Sequence, residues 1–212
     1  MGGTTKVILA AFAAAVISAV AAPAGAQTIV DEWASVKAPA PIELKKAKAD
    51  PKTTAFLVLD LVKQTCNTER RPRCLASLPK VEKFLAAARE HKMPVIYSLI
   101  NGATTADIAS SVAPKEGEPY VTAQANKFIK TDLDKMLKDK GIQTVIVVGT
   151  TAEGAVLYTA SEAAFLGYNV IVPIDGSTAG TTYAEQAVAW TLANAPGVAQ
   201  KTTVTKFDMI EW

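Results

Sequence analysis

Thr144–Gly176 reads TVIVVGTTAEGAVLYTASEAAFLGYNVIVPIDG, and the changes of period along it decide the fold. Thr144 and Val145 to Val148 form a β-branched, apolar run, which predicts a strand buried on both faces. Gly149, Thr150 and Thr151 make a turn. Ala155, Val156, Thr159, Ala160, Ala163 and Ala164 then recur at the spacing of one helix face. Gly167 suits the left-handed residue that commonly ends a helix, and Asn169 to Ile174 reads as the next buried strand. The unit is βαβ, which predicts a parallel sheet.

In such a unit the turn after the first strand lies at the carboxyl edge of the sheet, where open α/β folds hold ligands. Residues 149–155 are therefore the first candidate site, with Thr150, Thr151, Gly154 and Ala155 as contacts for a small molecule. The N–H groups that open a helix lack internal partners and carry partial positive charge. The turn is thus suited to an anion or a developing oxyanion.

Outward from this unit, the chain begins with Lys6, an apolar run from Val7 to Val20 interrupted only by Ser18, and then Ala24-Gly25-Ala26. That order predicts a secretory signal peptide over residues 1–26, since the run is short of the ~20 residues of a membrane span and a small-residue cleavage site follows it. The expected location is periplasmic or secreted, with no membrane attachment after cleavage. Removing residues 1–26 from 212 leaves 186, enough for one domain with a sizeable core. The net charge of +2 falls to +1 with the loss of Lys6. Basic residues are scattered, and Arg70, Arg71 and Arg73 read with the rest as a solvated surface, so nucleic acid is not an expected partner.

Cys66 and Cys74 lie in the segment CNTERRPRC. An oxidising compartment favours a disulfide between them, which would stabilise by about 2–3 kcal/mol on the loop-entropy model. The competing reading makes Cys66 a nucleophile.

Residues 27–52, broken by Pro39 and Pro41, read as an N-terminal arm, and residues 53–212 as the domain. The first strand is expected over Thr53 to Leu59, delivering Asp60 to the same carboxyl edge as the Gly149 turn. Residues 61–78, with Gln64 as a candidate contact, read as a loop, and Pro79 as the first turn of a helix reaching His91. The chain's one histidine falls at that helix's C-terminus, away from the expected site, which disfavours a Ser-His-Asp triad and a multi-histidine metal site. Residues 101–122, ending at the candidate contact Thr122, read as a loop flanking the pocket. Thr131 is expected to cap a helix over 132–140, Tyr183 to Asn194 to form another helix, and Thr202 to Phe207 a last strand before a short tail.

The segments AFLVLDLVKQ around Asp60, KFIKTDLDKMLKDKGIQTVIVVGTTAEGAV from Lys127, and TASEAAFLGYNVIVPIDG to Gly176 resemble, in this order, the isochorismatase-like or cysteine hydrolase superfamily. The resemblance implies an α/β fold, a six-stranded, mostly parallel sheet with helices on both faces. It also implies a site built from an aspartate ending the first strand, a lysine, and a nucleophilic cysteine at the start of the helix after the GTT-like turn. Asp60 matches the aspartate. The cysteine's place falls on Ala155, so thioester chemistry is not expected. The lysine's place falls near Thr122 or Ala123, five or four residues before Lys127, which either reaches the site from its own position or lies on the surface.

Two function classes follow. One is a hydrolase of a small polar or carboxylate-bearing molecule, with Asp60, Glu153 and Lys127 as catalytic candidates. Glu153 stands in the turn two residues before Ala155, where it would polarise water opposite an acidic Asp60 or simply complement the helix dipole. The other is a binding protein that keeps the pocket without catalysis. No cofactor or metal is required by these residues, and a homo-oligomer is left open.

Overall fold

Strands with apolar side chains on both faces need cover on both, and alternate side chains of a strand point opposite ways. The computed structural model describes residues 1–2 and 28–212; the expected signal peptide lies almost wholly outside the described residues. Two units are distinguished, Met1–Ala40 and Pro41–Trp212. In the first, α1 (Ile29–Glu32) is opened by Thr28, whose backbone N–H and hydroxyl both donate to the Asp31 carboxylate at 2.8 Å.

The second unit contains, in chain order, β1 (Ala47–Lys48), β2 (Thr54–Leu59), α2 (Pro72–Glu90), β3 (Val95–Leu99), β4 (Tyr120–Thr122), α3 (Leu133–Asp139), β5 (Thr144–Thr150), α4 (Leu157–Phe165), β6 (Asn169–Pro173), β7 (Ser177–Thr178), α5 (Thr182–Asn194), β8 (Thr202–Thr205) and β9 (Ile210–Glu211). The main sheet runs β4-β3-β2-β5-β6-β8, every pair parallel, and the short β7 adds to the end of β5 as a seventh strand. The expected six strands are those of the continuous path.

Two hydrophobic clusters cover the two faces. Ala55, Leu57 and Leu59 of β2 and Val145 and Val147 of β5 pack with Leu133 and Leu137 of α3, Ala160 and Ala163 of α4, and Val188 and Leu192 of α5. The alternate residues Phe56, Val58, Ile146 and Val148 pack with Val81, Phe84, Leu85 and Ala88 of α2. The chain fills the sheet to one side through β2, β3 and β4 and to the other through β5, β6 and β8. Strand order therefore reverses between β2 and β5. Their carboxyl ends form the crevice that a doubly wound sheet offers to ligands.

At that edge Leu59 is level with Gly149. A Cβ on Gly149 would come within 2.0 Å of the Leu59 carbonyl oxygen, and its φ of +134° is one that L side chains rarely adopt. Glycine is what lets the two strand ends meet.

Several boundaries differ from expectation: the end of the 101–122 segment, read as a loop, is the strand β4, and the strand expected to reach Phe207 stops at Thr205 before a turn at Phe207–Met209. Helix α2 begins at Pro72, with Pro79 inside it and Cys74 on its buried face. Pro72 occupies the first-turn position where a missing N–H costs nothing, and the long apolar face outweighs the helical bond that Pro79 cannot donate. Part of the arm is structure: the Lys45 N–H donates to Val204 of the edge strand β8, and β1 pairs with β9. The C-terminal tail thus contains a strand, and Trp212 stacks on Phe84 and His91 with ring centroids 5.2 and 4.4 Å apart. His91 caps the C-terminus of α2, as expected.

Gly149→Ala is expected to destabilise the protein by about 2–4 kcal/mol, combining overpacking with a strained backbone conformation. A lower urea midpoint at unchanged denaturant slope checks it.

Candidate active site

Asp60 follows β2 directly and takes a left-handed backbone conformation, φ +53°, uncommon for a residue with a side chain and characteristic of functional positions. Its N–H donates to the Ser98 carbonyl at 3.2 Å, and the Ser98 hydroxyl donates to Asp60 Oδ1 at 2.7 Å. Lys127 Nζ lies 2.6 Å from Oδ2. Both members are buried, with side chains 0% (Lys127) and 6% (Asp60) exposed.

Lys127 reaches Asp60 because its segment is tied down around it. Its N–H donates to Thr159 Oγ1 of α4, the Thr131 hydroxyl donates to its carbonyl, and the Asn126 amide donates to Glu162 Oε2. Nζ also donates to the carbonyls of Ala123 (3.2 Å) and Gln124 (2.5 Å). With Asp60, that makes three acceptors for the three N–H bonds of an ammonium. Burial pushes the Asp60 carboxyl up and the Lys127 ammonium down, while their mutual attraction opposes both shifts. The two proton affinities are drawn together across a short bond.

The turn after β5 faces this pair across the crevice. Thr150 is buried and donates to the Thr178 carbonyl at 3.2 Å. The Thr151 hydroxyl lies over Gly154, where a Cβ would approach it to 2.7 Å. Ala152–Val156 form one π-helical turn before α4, with Ala155 3% exposed. Glu153 is exposed and is not among the groups bonded to Asp60, whose carboxylate oxygens are engaged by Ser98 and Lys127. Glu153 is within electrostatic reach of the Arg71 guanidinium.

Thr122, at the end of β4, is exposed and lines a cavity of about 500 Å³ with Ala123, Gln124 and Tyr158. Gln64 is half-buried, and its Oε1 has no hydrogen-bond partner among the described residues. Cys66 and Cys74 form a disulfide, and no free thiol is found among the described residues. That removes the basis for Cys66 as a nucleophile. The disulfide joins the loop after Asp60 to the first turn of α2, a helix that sequence reading began seven residues later.

Sequence reasoning missed Ser98 and treated Arg71 as surface. A signal existed for the first, since a serine inside the buried run VIYSL needs a polar partner. For Arg71 none did.

The loops beside the crevice are latched together. Val62 bridges Ile108, and Lys63 Nζ pairs with Asp107 Oδ1 at 2.6 Å. At the opposite, amino edge of the sheet, Arg89 in the last turn of α2 binds both Glu118 oxygens ahead of β4, at 2.8 and 2.7 Å, and donates to Tyr97 Oη.

These features define a doubly wound α/β protein with a buried Asp–Lys pair at its topological switch point. Residues 54–205 match the isochorismatase domain model, and the chain belongs to that family. It is 30% identical over 111 residues to a secreted isochorismatase effector of Verticillium dahliae, a match covering 47% of this chain and 58% of that protein. It is 32% identical over 82 residues to a maleamate amidohydrolase of Pseudomonas putida, 38% of each chain. The chain thus matches under two thirds of the length of either curated relative. An isochorismatase family protein of Desulfovibrio vulgaris superposes with a TM-score of 0.68 at 19% identity, over 74% of this chain and 95% of that one.

Two predictions follow from the geometry. Lys127→Met strands a buried carboxylate and is expected to cost about 3–5 kcal/mol. Adding Asp60→Asn should recover part of that loss, so the double variant is more stable than the sum of the single effects; urea denaturation of all four proteins measures it.

The second concerns acid. Asp107 is held below the usual carboxylate range by Lys63 and by the Thr104 N–H. For Glu118, burial raises the carboxyl but Arg89 outweighs it, and the net direction is down. Depressed folded-state values mean stabilisation present above the unfolded carboxylate value of about 4 and lost as pH falls through the folded values. The urea midpoint should therefore fall from about pH 5 towards pH 2, and less steeply in Arg89→Met.

Proposed function

We propose that the protein is an exported hydrolase of the isochorismatase family that works without a cysteine nucleophile and uses the Asp60–Lys127 pair to move the proton. The observation that carries this reading is the buried 2.6 Å contact of Lys127 with Asp60 at the switch point, beside the turn 150–156. A water molecule supplies the attacking oxygen. Asp60, alternating between its carboxyl and carboxylate forms, gives a proton to the substrate as its bond breaks and recovers one from the water that adds. Lys127 compensates the carboxylate's charge. In the turn at 152–156 the Gly154 and Val156 N–H groups donate to the Thr151 carbonyl, and the Glu153 and Ala155 N–H groups stabilise negative charge on the substrate. Ala155 carries only a methyl group where the resemblance places a thiol, so no acyl-enzyme forms there. Glu153 takes part only if it reaches the same water. Export is supported by the disulfide, by the secreted relative and by the sequence of residues 1–26. No helix among the described residues is long and apolar enough to cross a membrane.

The alanine at 155 also favours a second reading, a binding protein on the same fold. Purified protein is tested against amides, esters, ureides and vinyl ethers, with Asp60→Asn and Glu153→Gln alongside. The expected result is turnover that survives thiol alkylation and falls at least a hundredfold in Asp60→Asn. Because burial raises the Asp60 carboxyl, its acid form persists to higher pH than for an ordinary aspartate, and kcat/KM should fall as pH rises through that shifted value. Absence of turnover across the panel would sink the hydrolase reading in favour of binding.

A further inference from the structure

Helix α2 and the C-terminal segment enclose a cavity of about 300 Å³ that shares no lining residue with the Asp60–Lys127 pair or the turn 150–156. Its walls are aromatic. Phe84 of α2, Phe207 in the turn after β8, and Trp212 after β9 all line it. Phe84 is buried, and its ring centroid lies 4.9 Å from that of Phe207 and 5.2 Å from that of Trp212, with interplanar angles of 33° and 21°. Phe207 and Trp212 are only half-buried. Rings left partly in water at the wall of a cavity are satisfied by a further flat ring laid against them.

The fold fixes these walls. The Phe207 ring lies against Gly176, where a Cβ would stand 2.6 Å from it, and the Phe207 N–H donates to Asp175 Oδ1 at 3.0 Å. Asp175 Oδ2 accepts from Lys80 at 3.2 Å, which ties the same wall to α2. Trp212 stacks on His91 as well as on Phe84, with centroids 4.4 Å apart. A pocket held in this way needs little reordering when it is filled.

The rim is basic. Lys80 and Lys83 stand three residues apart on α2, so they are neighbours on one helix face, and both line the cavity. Asp175 compensates Lys80, and the other acid of the lining, Asp208, pairs with Lys206 at 3.0 Å. Lys83 makes no ion pair among the described residues. One positive charge is therefore in excess beside the rings, next to a second ammonium that repels it. An anion placed there relieves that repulsion.

We propose that this cavity binds a small planar aromatic carboxylate, its ring against Phe207 and Trp212 and its carboxylate on Lys83. The volume lies at the lower limit for a small-molecule site, which suits a ligand of about two rings. The binding is independent of hydrolysis at Asp60 and adds a site that the proposed reaction does not use.

Calorimetric titration of the purified protein with 2-naphthoate, neutral 2-naphthylmethanol and non-aromatic cyclohexanecarboxylate tests this. 2-Naphthoate is expected to saturate one site, with the other two probes about fivefold weaker, as one partly exposed ion pair or one set of ring contacts allows. Lys83→Gln should bring 2-naphthoate to the level of the alcohol and leave the alcohol unchanged. Trp212→Leu should weaken both aromatic probes about fivefold. Asp60→Asn should bind like the parent. Lys83 is exposed, so its substitution keeps the test decisive should Trp212→Leu unfold the protein. No saturable binding at up to about 10 mM, above the millimolar end of specific affinity, overturns the site. So does 2-naphthoate binding that is indifferent to residue 83, or that is lost in Asp60→Asn. A dimer that Trp212→Leu dissociates in sedimentation, and that takes up no 2-naphthoate, also overturns it and gives the cavity to a second copy of the chain.

Discussion

The contact between Asp60 and Lys127 is the constraint to which the carboxyl edge of the sheet is fitted. Removing two charges from water costs several kcal/mol for each, and attraction repays this only when every remaining donor and acceptor is bonded. The fold meets that condition from three directions. β3 supplies the Ser98 hydroxyl to one carboxylate oxygen, Lys127 takes the other, and the carbonyls of Ala123 and Gln124 complete the ammonium's bonds. Those carbonyls are in place because the following segment is pinned to α4 through Thr159 and Glu162. The helix of the central βαβ unit therefore does more than cover the sheet. Its first two turns position the lysine.

The same edge depends on a second constraint at Gly149. Any side chain there would collide with the Leu59 carbonyl, and β2 and β5 would be forced apart just where Asp60 and the turn 150–156 must face each other. On either side, the disulfide, the Val62–Ile108 bridge and the Lys63–Asp107 pair fasten the surrounding loops to the scaffold. A site on loops becomes precise when those loops are fastened in this way.

What the sequence made legible was what is periodic. The switch from a β-branched run to a helical spacing in Thr144–Gly176 marked the central unit, and an acid at the end of a doubly buried strand marked Asp60. Lys127 was ambiguous because counting residues measures chain position, whereas a lysine's four-carbon stem lets it reach a site from a neighbouring turn. The start of α2 was misplaced because Pro72 and Pro79 are both suited to a helix's first turn, and only the packing of Cys74 and Ser77 against the core distinguishes them. Ser98 was visible in principle as a polar residue in an apolar strand. Arg71 was not, since three arginines in a loop look alike until the hydrogen bonds to Gln64 and Thr65 give each a direction.

Stability alone gives no reason for the pair at this edge. A buried ion pair is often no more stabilising than well-packed apolar side chains of the same volume, and the surrounding strands are built from Val, Ile, Leu and Phe that could extend the core. The left-handed backbone at Asp60 adds cost in the same place. Both expenses fall at the switch point, where a doubly wound sheet exposes its ligand crevice, and beside the turn where Ala155 offers no nucleophile. Under the proposed function, a proton held between a destabilised carboxylate and a destabilised ammonium is the reactive element there. Chemistry at this site would accordingly run through acid–base transfer and an attacking water, with substrate selection left to the fastened loops that form the mouth.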